Sequence, residues 1–269
     1  MTAIALTIAG SDSCGGAGIQ ADLKTFSALE VYGASVITAL TAQNTLRVEA
    51  VHVVPPDFVL AQMRAVAADL RVDAIKIGML ATGPVIEAVA EGLKDFAGVP
   101  VVLDPVMIAA SGDPLLDPEA VDALRSVLIP LAMLITPNLA EAAALLASSP
   151  ARSEYEMFMQ AVKLKEVGAS AVLIKGGHAE GPTATDILFE GREPVSFEAP
   201  RADTRNTHGT GCTLSAAIAA ELAKGASLPE AVASAKAYVT EAILAADALD
   251  IGKGRGPVHH FHDWWKERR

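Results

Sequence analysis

The stretch Gly209-Thr210-Gly211-Cys212-Thr213 sets two glycines and a thiol just ahead of 214–223, an alanine-rich run with the composition of a helix. Glycines let a backbone come close to a ligand and turn its amides toward it. Amides at a helix start carry partial positive charge and suit a phosphate. Fixed donors of this kind stabilise a phosphoryl group in flight. The plainer reading is a glycine-rich helix cap. Cys212 lies inside the stretch, where a helix start can lower a thiol's pKa and let it act as a base. A small buried apolar residue is an equal alternative.

Gly10-Ser11-Asp12-Ser13-Cys14-Gly15-Gly16-Ala17-Gly18 follows an apolar run and opens a helical one. It lacks the Gly-Lys-Ser/Thr ending of a Walker loop and the spacing of a dinucleotide fingerprint. It holds more glycines than a strand-to-helix turn needs, which favours contact with a substrate. Asp104 and Glu141 each sit just past an apolar strand. Carboxylates there can hold Mg²⁺, usually through water, with phosphate oxygens filling the shell. Taken singly, each has a plain explanation: an Asp-Pro turn for Asp104 and a favourable first-turn charge for Glu141. Lys175 ends a strand before Gly176-Gly177, where it either neutralises phosphate or marks an exposed strand end. The tail His259-His260-Phe261-His262-Asp263-Trp264-Trp265 has no metal-ligand spacing and reads as a packed segment. Met157-Phe158-Met159 reads as core packing.

These groups act together only if the chain brings them to one place. Strands are expected at 3–9, 35–42, 48–54, 74–79, 99–103, 133–136 and 171–174. Helices are expected at 19–29, 57–70, 85–96, 118–128, 139–147, 154–167, 211–223 and 229–249. In 57–70 the apolar stripe is Phe58, Met63, Val66 and Leu70, with Pro55-Pro56 breaking the chain before it. Runs 186–189 and 195–199 flank Glu190-Gly191-Arg192-Glu193 as a hairpin. The alternation predicts an α/β fold: a mostly parallel central sheet, helices on both faces and a small edge hairpin, in a single domain over 1–269. Ligands of such sheets bind beyond the carboxyl ends of the strands. Gly10-Ser11-Asp12, Gln43-Asn44-Thr45, Gly78-Met79, Asp104-Pro105, Pro137-Asn138 and Lys175-Gly176-Gly177 all fall at that edge and outline a pocket. The 109–116 loop, with Ser111-Gly112-Asp113-Pro114, is a candidate for mobility.

Composition narrows the partners. The 269 residues are 51% hydrophobic and carry a formal charge of −11. With no Lys/Arg run, nucleic acid is not an expected partner. An anionic ligand must be held by local groups, because the overall field repels it. Cys14 and Cys212 match no metal spacing and are expected as free thiols in a reducing compartment. The apolar start 3–8 has no basic segment before it and reads as a strand. No apolar run reaches membrane-spanning length, so a cytoplasmic protein is expected, with no membrane contact.

Together the motifs resemble the hydroxymethylpyrimidine/phosphomethylpyrimidine kinases of thiamine biosynthesis, within the ribokinase-like superfamily. The resemblance rests on 10–26, Thr41-Ala42-Gln43-Asn44-Thr45, Lys76-Ile77-Gly78-Met79-Leu80, Asp104-Pro105-Val106-Met107, Thr136-Pro137-Asn138-Leu139-Ala140-Glu141, Lys175-Gly176-Gly177-His178, His208-Gly209-Thr210-Gly211-Cys212-Thr213 and Val258-His259-His260-Phe261-His262. It implies a ribokinase-like fold, ATP and Mg²⁺, and two successive phosphoryl transfers to one small pyrimidine. It further implies that Gln43 bonds the aminopyrimidine, that Gly10, Met79 and Val106 line the ring site, and that Asp22 belongs with the substrate. Lys175, Asn138 and Thr210 are placed with the nucleotide, and Asp104 and Glu141 with the metal. Gly209, Gly211 and Cys212 form the catalytic anion hole. Cys212 replaces the Asp of the wider superfamily, as is typical of this branch. A homodimer is implied, with no located interface. The competing expectations are a pyridoxal, pyridoxine or pyridoxamine kinase and a non-catalytic ligand-binding protein on the same scaffold.

Overall fold

The computed structural model describes residues 1–109, 112–113, 115–177 and 181–265. The chain begins β1 (Ile4–Asp12), α1 (Gly18–Ala28), β2 (Tyr32–Gln43), β3 (Val48–Val53) and α2 (Pro56–Ala67). It continues through β4 (Ala74–Ile77), α3 (Gly83–Gly92), β5 (Val101–Leu103), α4 (Ala120–Ala123), β6 (Leu134–Ile135), α5 (Leu139–Leu145) and α6 (Glu154–Val167). It closes with β7 (Val172–Lys175), β8 (Thr183–Phe189), β9 (Val195–Pro200), α7 (Thr210–Ala223) and α8 (Leu228–Leu244). Among the described residues the strands form one sheet in the order β3-β2-β1-β4-β5-β6-β7-β8-β9.

From β2 to β7 every neighbouring pair is parallel. The carboxyl ends of these strands therefore share one edge, and all the polar clusters expected there lie along it. The expected hairpin is β8–β9, and β8 also pairs antiparallel with β7. A second antiparallel pair, β2–β3, closes the opposite edge and was not foreseen. Its turn is built by Asn44, whose side-chain oxygen accepts the amides of Leu46 at 2.9 Å and Arg47 at 3.2 Å.

Strand side chains alternate between two cores, as the period of two dictates. Leu6, Ile8, Ile75, Ile77, Leu103 and Ile135 pack on one face with α2, α3, α5 and α6. Ala5, Ala74, Val102, Leu134 and Leu173 pack on the other with α1, α7 and α8. Alanines at 5, 74, 216, 217, 219 and 220 let α7 lie close against β1, β4 and β5. That placement brings the start of α7 to the polar edge.

The expected stripe of α2 needs correction. Phe58 is 60% exposed, while Val59 and Met63 are fully buried. Val59 and Met63 are four apart and share a helix face, whereas Phe58 points elsewhere. Met157 is buried as expected and Phe158 meets Phe189 edge-on, but Met159 faces outward. The helix expected at 118–128 is only α4, followed by a π-turn over Leu124–Leu128 and a 3₁₀ turn over Ile129–Leu131. Pro130 has no amide to continue an α-helical ladder, so the turns change type there. Part of the 109–116 loop and His178 lie outside the described residues. Among the described residues no helix is long and apolar enough to cross a membrane.

The central strand β4 contains a lysine with no exposed surface. Lys76 turns toward the α7 side and bonds both oxygens of Asp22, at 2.8 and 2.9 Å. Thr7 donates to Asp22 at 2.6 Å. Asp22 therefore presents no open surface to a substrate here. It holds Lys76 in place. Replacing Asp22 with Asn should cost roughly 3–5 kcal/mol, because it strands a buried ammonium. Asp22→Leu combined with Lys76→Met should recover most of that stability. Urea unfolding measures both, and an unchanged stability in Asp22→Asn would contradict the pairing.

Candidate active site

Asp12, the last residue of β1, organises the glycine-rich loop that follows it. Its carboxylate accepts the amides of Cys14 at 2.9 Å, Gly16 at 3.1 Å and Ala17 at 2.9 Å. The Cys14 thiol donates to it at 3.4 Å, and His208 Nε2 lies 2.8 Å away. Burial disfavours charge on His208, but Asp12, with help from Cys14, overcomes this and pushes its pKa up to about 9. Burial also works against the Asp12 carboxylate, yet His208 and the Cys14 and Ala17 amides hold its pKa below the usual value. The result is a buried ion pair joining β1 to the entrance of α7.

Two glycine loops meet at this pair. Gly209 caps α7 at φ 82°, a left-handed conformation that favours glycine. A side chain there would collide with the Gly16 carbonyl, and one at Gly16 would collide with the His208 ring. The amides at the start of α7 are held against the first loop because neither glycine carries a side chain.

Cys212, in the first turn of α7, does not behave as a simple helix-start thiol. Burial pushes its pKa up to about 11, and the Asp22 and Asp104 carboxylates add to the rise. Lys76 and the Gly18 amide oppose it without overcoming it. The expected lowering is thus reversed, and the group is a neutral thiol near pH 7. Burial also opposes the charge on Lys76, but Asp22, Cys212 and Asp104 hold its pKa above the ordinary lysine value.

A second charged group faces the same helix start. Lys175 Nζ lies 2.7 Å from Asp104 Oδ1, which also accepts from Thr136 Oγ1 at 3.1 Å. Glu141 is buried nearby. Burial, reinforced by Asp104, pushes its pKa up to about 7 against the pull of Lys175 and the Asn138 and Met107 amides. Asn138 and Glu141 form a capping box on α5: the Asn138 side chain accepts the Ala140 and Glu141 amides, both at 2.9 Å. Glu141 Oε2 accepts the Asn138 amide at 2.8 Å. A side chain on Gly211 would start 3.3 Å from Lys175 Nζ and 3.5 Å from Asp104 Oδ2. The helix-start backbone, Lys175 and Asp104 therefore converge on one point. Two neighbouring carboxylates, one of them strained toward protonation, form an oxygen donor set that suits Mg²⁺.

On the other side, Gly10 and Met79 are in tight contact, and Val106 packs with Met79, Ala39 and Ala81. These three expected ring-lining residues come together. Gln43 is half-buried, with its side-chain oxygen accepting from Thr41 at 3.2 Å and its backbone bonded in both directions to Ser13 Oγ at 2.8 Å. Thr210 turns its hydroxyl back to the Thr207 carbonyl at 2.7 Å and shapes the cap. The tail packs as expected only at its start: His259 and His260 are buried, with His260 Nε2 3.1 Å from Thr213 Oγ1, whereas Trp264 and Trp265 are exposed.

Asp12, His208 and Lys76 fall within the motifs quoted from the sequence, but none of them received a role of its own there. A signal was available for Lys76, since a lysine inside Ala74-Ile75-Lys76-Ile77 demands a buried partner. Asp12 and His208 are 196 residues apart, and no local pattern joins them.

The phosphomethylpyrimidine kinase family model matches residues 12–259. A hydroxymethylpyrimidine/phosphomethylpyrimidine kinase of Rhizobium meliloti is 62% identical over 99% of this chain and 100% of its own. The ADP complex of a Bacillus subtilis pyridoxal kinase superposes with a TM-score of 0.91 at 40% identity, covering 99% of this chain and 100% of that one. A Clostridium difficile phosphomethylpyrimidine kinase gives 0.79 at 44% identity, covering 89% and 99%.

The Asp12–His208 pair sets a pH window for stability. His208 titrates near 6.5 when unfolded and at about 9 when folded. Its contribution is therefore complete below pH 6.5 and lost as pH rises through 9. Between pH 6.5 and 9.5 the unfolding free energy should fall by roughly 2–3 kcal/mol on this account. His208→Gln should be less stable at pH 6.5 and lack this fall. An identical pH slope in the variant, read by denaturant titration, would contradict the assignment.

Proposed function

The chain belongs to the phosphomethylpyrimidine kinase family, and from that premise we propose that it phosphorylates 4-amino-5-hydroxymethyl-2-methylpyrimidine from ATP, first to the monophosphate and then to the diphosphate. The observation that carries this reading is the convergence at Gly211 of the helix-start backbone, Lys175 and Asp104. One such point serves both transfers, since each moves the γ-phosphoryl group of an ATP past the same donors.

In the first transfer the hydroxymethyl oxygen forms a bond to the γ-phosphorus as the bond to the departing ADP oxygen breaks. Amides of Gly209, Gly211 and Cys212 hold the moving group, and Lys175 neutralises nucleotide phosphate charge. Asn138 and Thr210 keep the helix starts that face the nucleotide in position. Asp104 and Glu141 would hold Mg²⁺, which supplies charge neutralisation to the phosphates. The acceptor ring lies against Gly10, Met79 and Val106, with the Gln43 amide able to donate and accept together at an aminopyrimidine.

Cys212 first loses its own proton to solvent, and the thiolate so formed takes the hydroxymethyl proton. With a pKa of about 11, forming the thiolate at pH 7 costs about 5 kcal/mol. That fits within the barrier of a kinase turning over at ~1–100 s⁻¹. Lys76, whose charge favours the thiolate, limits the cost. In the second transfer the acceptor is a phosphate already largely ionised at neutral pH, so no base is needed. Asp22 serves the substrate indirectly, by fixing Lys76. A homodimer accompanies this reading on family grounds.

The closeness of the superposition on a pyridoxal kinase supports a second reading, in which a pyridine with a hydroxymethyl group is the acceptor. A diphosphate product separates the two, since it requires the pyrimidine route. A non-catalytic role is disfavoured because Cys212, Lys175 and the glycines are all in place. The test is Cys212→Ala assayed with each acceptor separately. The first transfer should fall roughly 10²–10⁴-fold, and the second by less than about tenfold. Equal losses would contradict the role given to Cys212.

A further inference from the structure

Beside the acceptor region lies a cleft of about 260 Å³ lined by Gln43, Thr45, Arg205, His208, Lys253 and Arg255, among others. Its walls are the β2–β3 turn and two backbone segments pressed against each other. The Gly254 amide donates to Thr45 Oγ1 at 3.1 Å and the Arg255 amide to the Thr45 carbonyl at 3.0 Å. The His208 amide donates to the Gly256 carbonyl at 3.0 Å, and the Gly256 amide to Asn206 Oδ1 at 2.9 Å. Side chains at Gly252 or Gly254 would collide with Thr45. The cleft is therefore held in shape by backbone contacts, and its long cationic side chains make no hydrogen bond or ion pair among the described residues.

The charge in this cleft runs against the rest of the chain. Arg205, Lys253 and Arg255 are exposed, and among the described residues none of them forms an ion pair. The nearby Asp247 carboxylate is engaged by the Thr204 hydroxyl and by Asn206 at 2.7 Å. Three cations without an ion-pair partner among the described residues share one small concavity, in a chain with a net charge of −11, and make a local attractor for an anion that the overall field repels. The cleft also reaches two parts of the proposed machinery: Gln43, placed at the ring, and His208, which leads into Gly209.

We propose that the Arg205–Lys253–Arg255 cleft is a phosphate subsite on the acceptor side, which captures the phosphorylated acceptor and retains it between the two transfers. This rests on the kinase reading given above. The neutral hydroxymethyl compound gains nothing from the three cations. Its monophosphate carries about −1.5 to −2 charges near pH 7 and gains from all of them. The cleft thus favours the second substrate over the first, and a monophosphate leaving the anion hole meets a cationic surface before bulk water.

The test uses the full chain with Arg205→Gln, Lys253→Gln and Arg255→Gln combined, ATP–Mg²⁺, and each acceptor in turn. The ratio of the KM for the monophosphate to that for the hydroxymethyl compound should rise about tenfold, within the range expected of electrostatic capture. The salt dependence of kcat/KM for the monophosphate should flatten. Arg205→Lys with Arg255→Lys, which keeps the charge, should leave the ratio at the unsubstituted value. An equal change for both acceptors, or a rise confined to the KM for ATP, would overturn the proposal. Failure of the kinase reading shows separately, as the absence of monophosphate turnover in the unsubstituted protein. Calorimetric titration of the pyrimidine monophosphate into both proteins then reads the cleft by itself, and equal affinities would overturn it.

Discussion

The Asp12–His208 ion pair is the constraint on which the rest of the site depends. Asp12 ends the first strand, and His208 stands at the entrance to the seventh helix. Neither charge has water to fall back on, so each needs the other in place. The same carboxylate gathers the Cys14, Gly16 and Ala17 amides. One interaction therefore shapes the glycine-rich loop, seats it on the helix cap and fixes the amides at the start of α7. Gly16 and Gly209 complete the arrangement by their lack of side chains.

Around that anchor, an apolar sheet ends in a charged edge. Asp22–Lys76 lies beneath Cys212 and Asp104–Lys175 faces Gly211, while Asp186–Lys236 ties β8 to α8. The Asp186 carboxylate also accepts the Gly176 amide at 2.9 Å, which steadies the chain after Lys175. The pairs hold charge in a low-dielectric setting without freeing it, and of the three lysines Lys175 is the one held beside Gly211 at the start of α7. Their effect on Cys212 runs the other way. Burial first, and then the nearby carboxylates, keep the thiol protonated near pH 7.

Much of this was legible in the sequence where local rules and tertiary structure agree. The α6 boundaries follow from Ser153, which caps the Glu156 amide, and from Gly168 at φ 126°. Alternating strands and helices gave the parallel sheet, and with it the shared edge carrying Gly10, Gln43, Met79, Asp104, Asn138 and Lys175. What could not be read was long-range or conditional. The Asp12–His208 partnership spans 196 positions. The Cys212 shift depends first on burial and then on carboxylates from α1 and the end of β5. Phe58 was placed on the apolar stripe of 57–70, although Val59 shares the buried face with Met63 and Phe58 points outward. Asn138 and Glu141 were recognised as a motif, but the capping box they form became visible only in the fold.

The account's central claim is that one anion hole serves two successive transfers from ATP to a single pyrimidine. The most direct measurement is a ³¹P NMR time course of the purified protein with ATP–Mg²⁺ and 4-amino-5-hydroxymethyl-2-methylpyrimidine. The account predicts that the monophosphate resonance appears first and is then consumed as the pyrimidine diphosphate accumulates, with one ADP formed per transfer. A reaction that stops at the monophosphate, or that consumes ATP only when a pyridine acceptor is supplied, would contradict it.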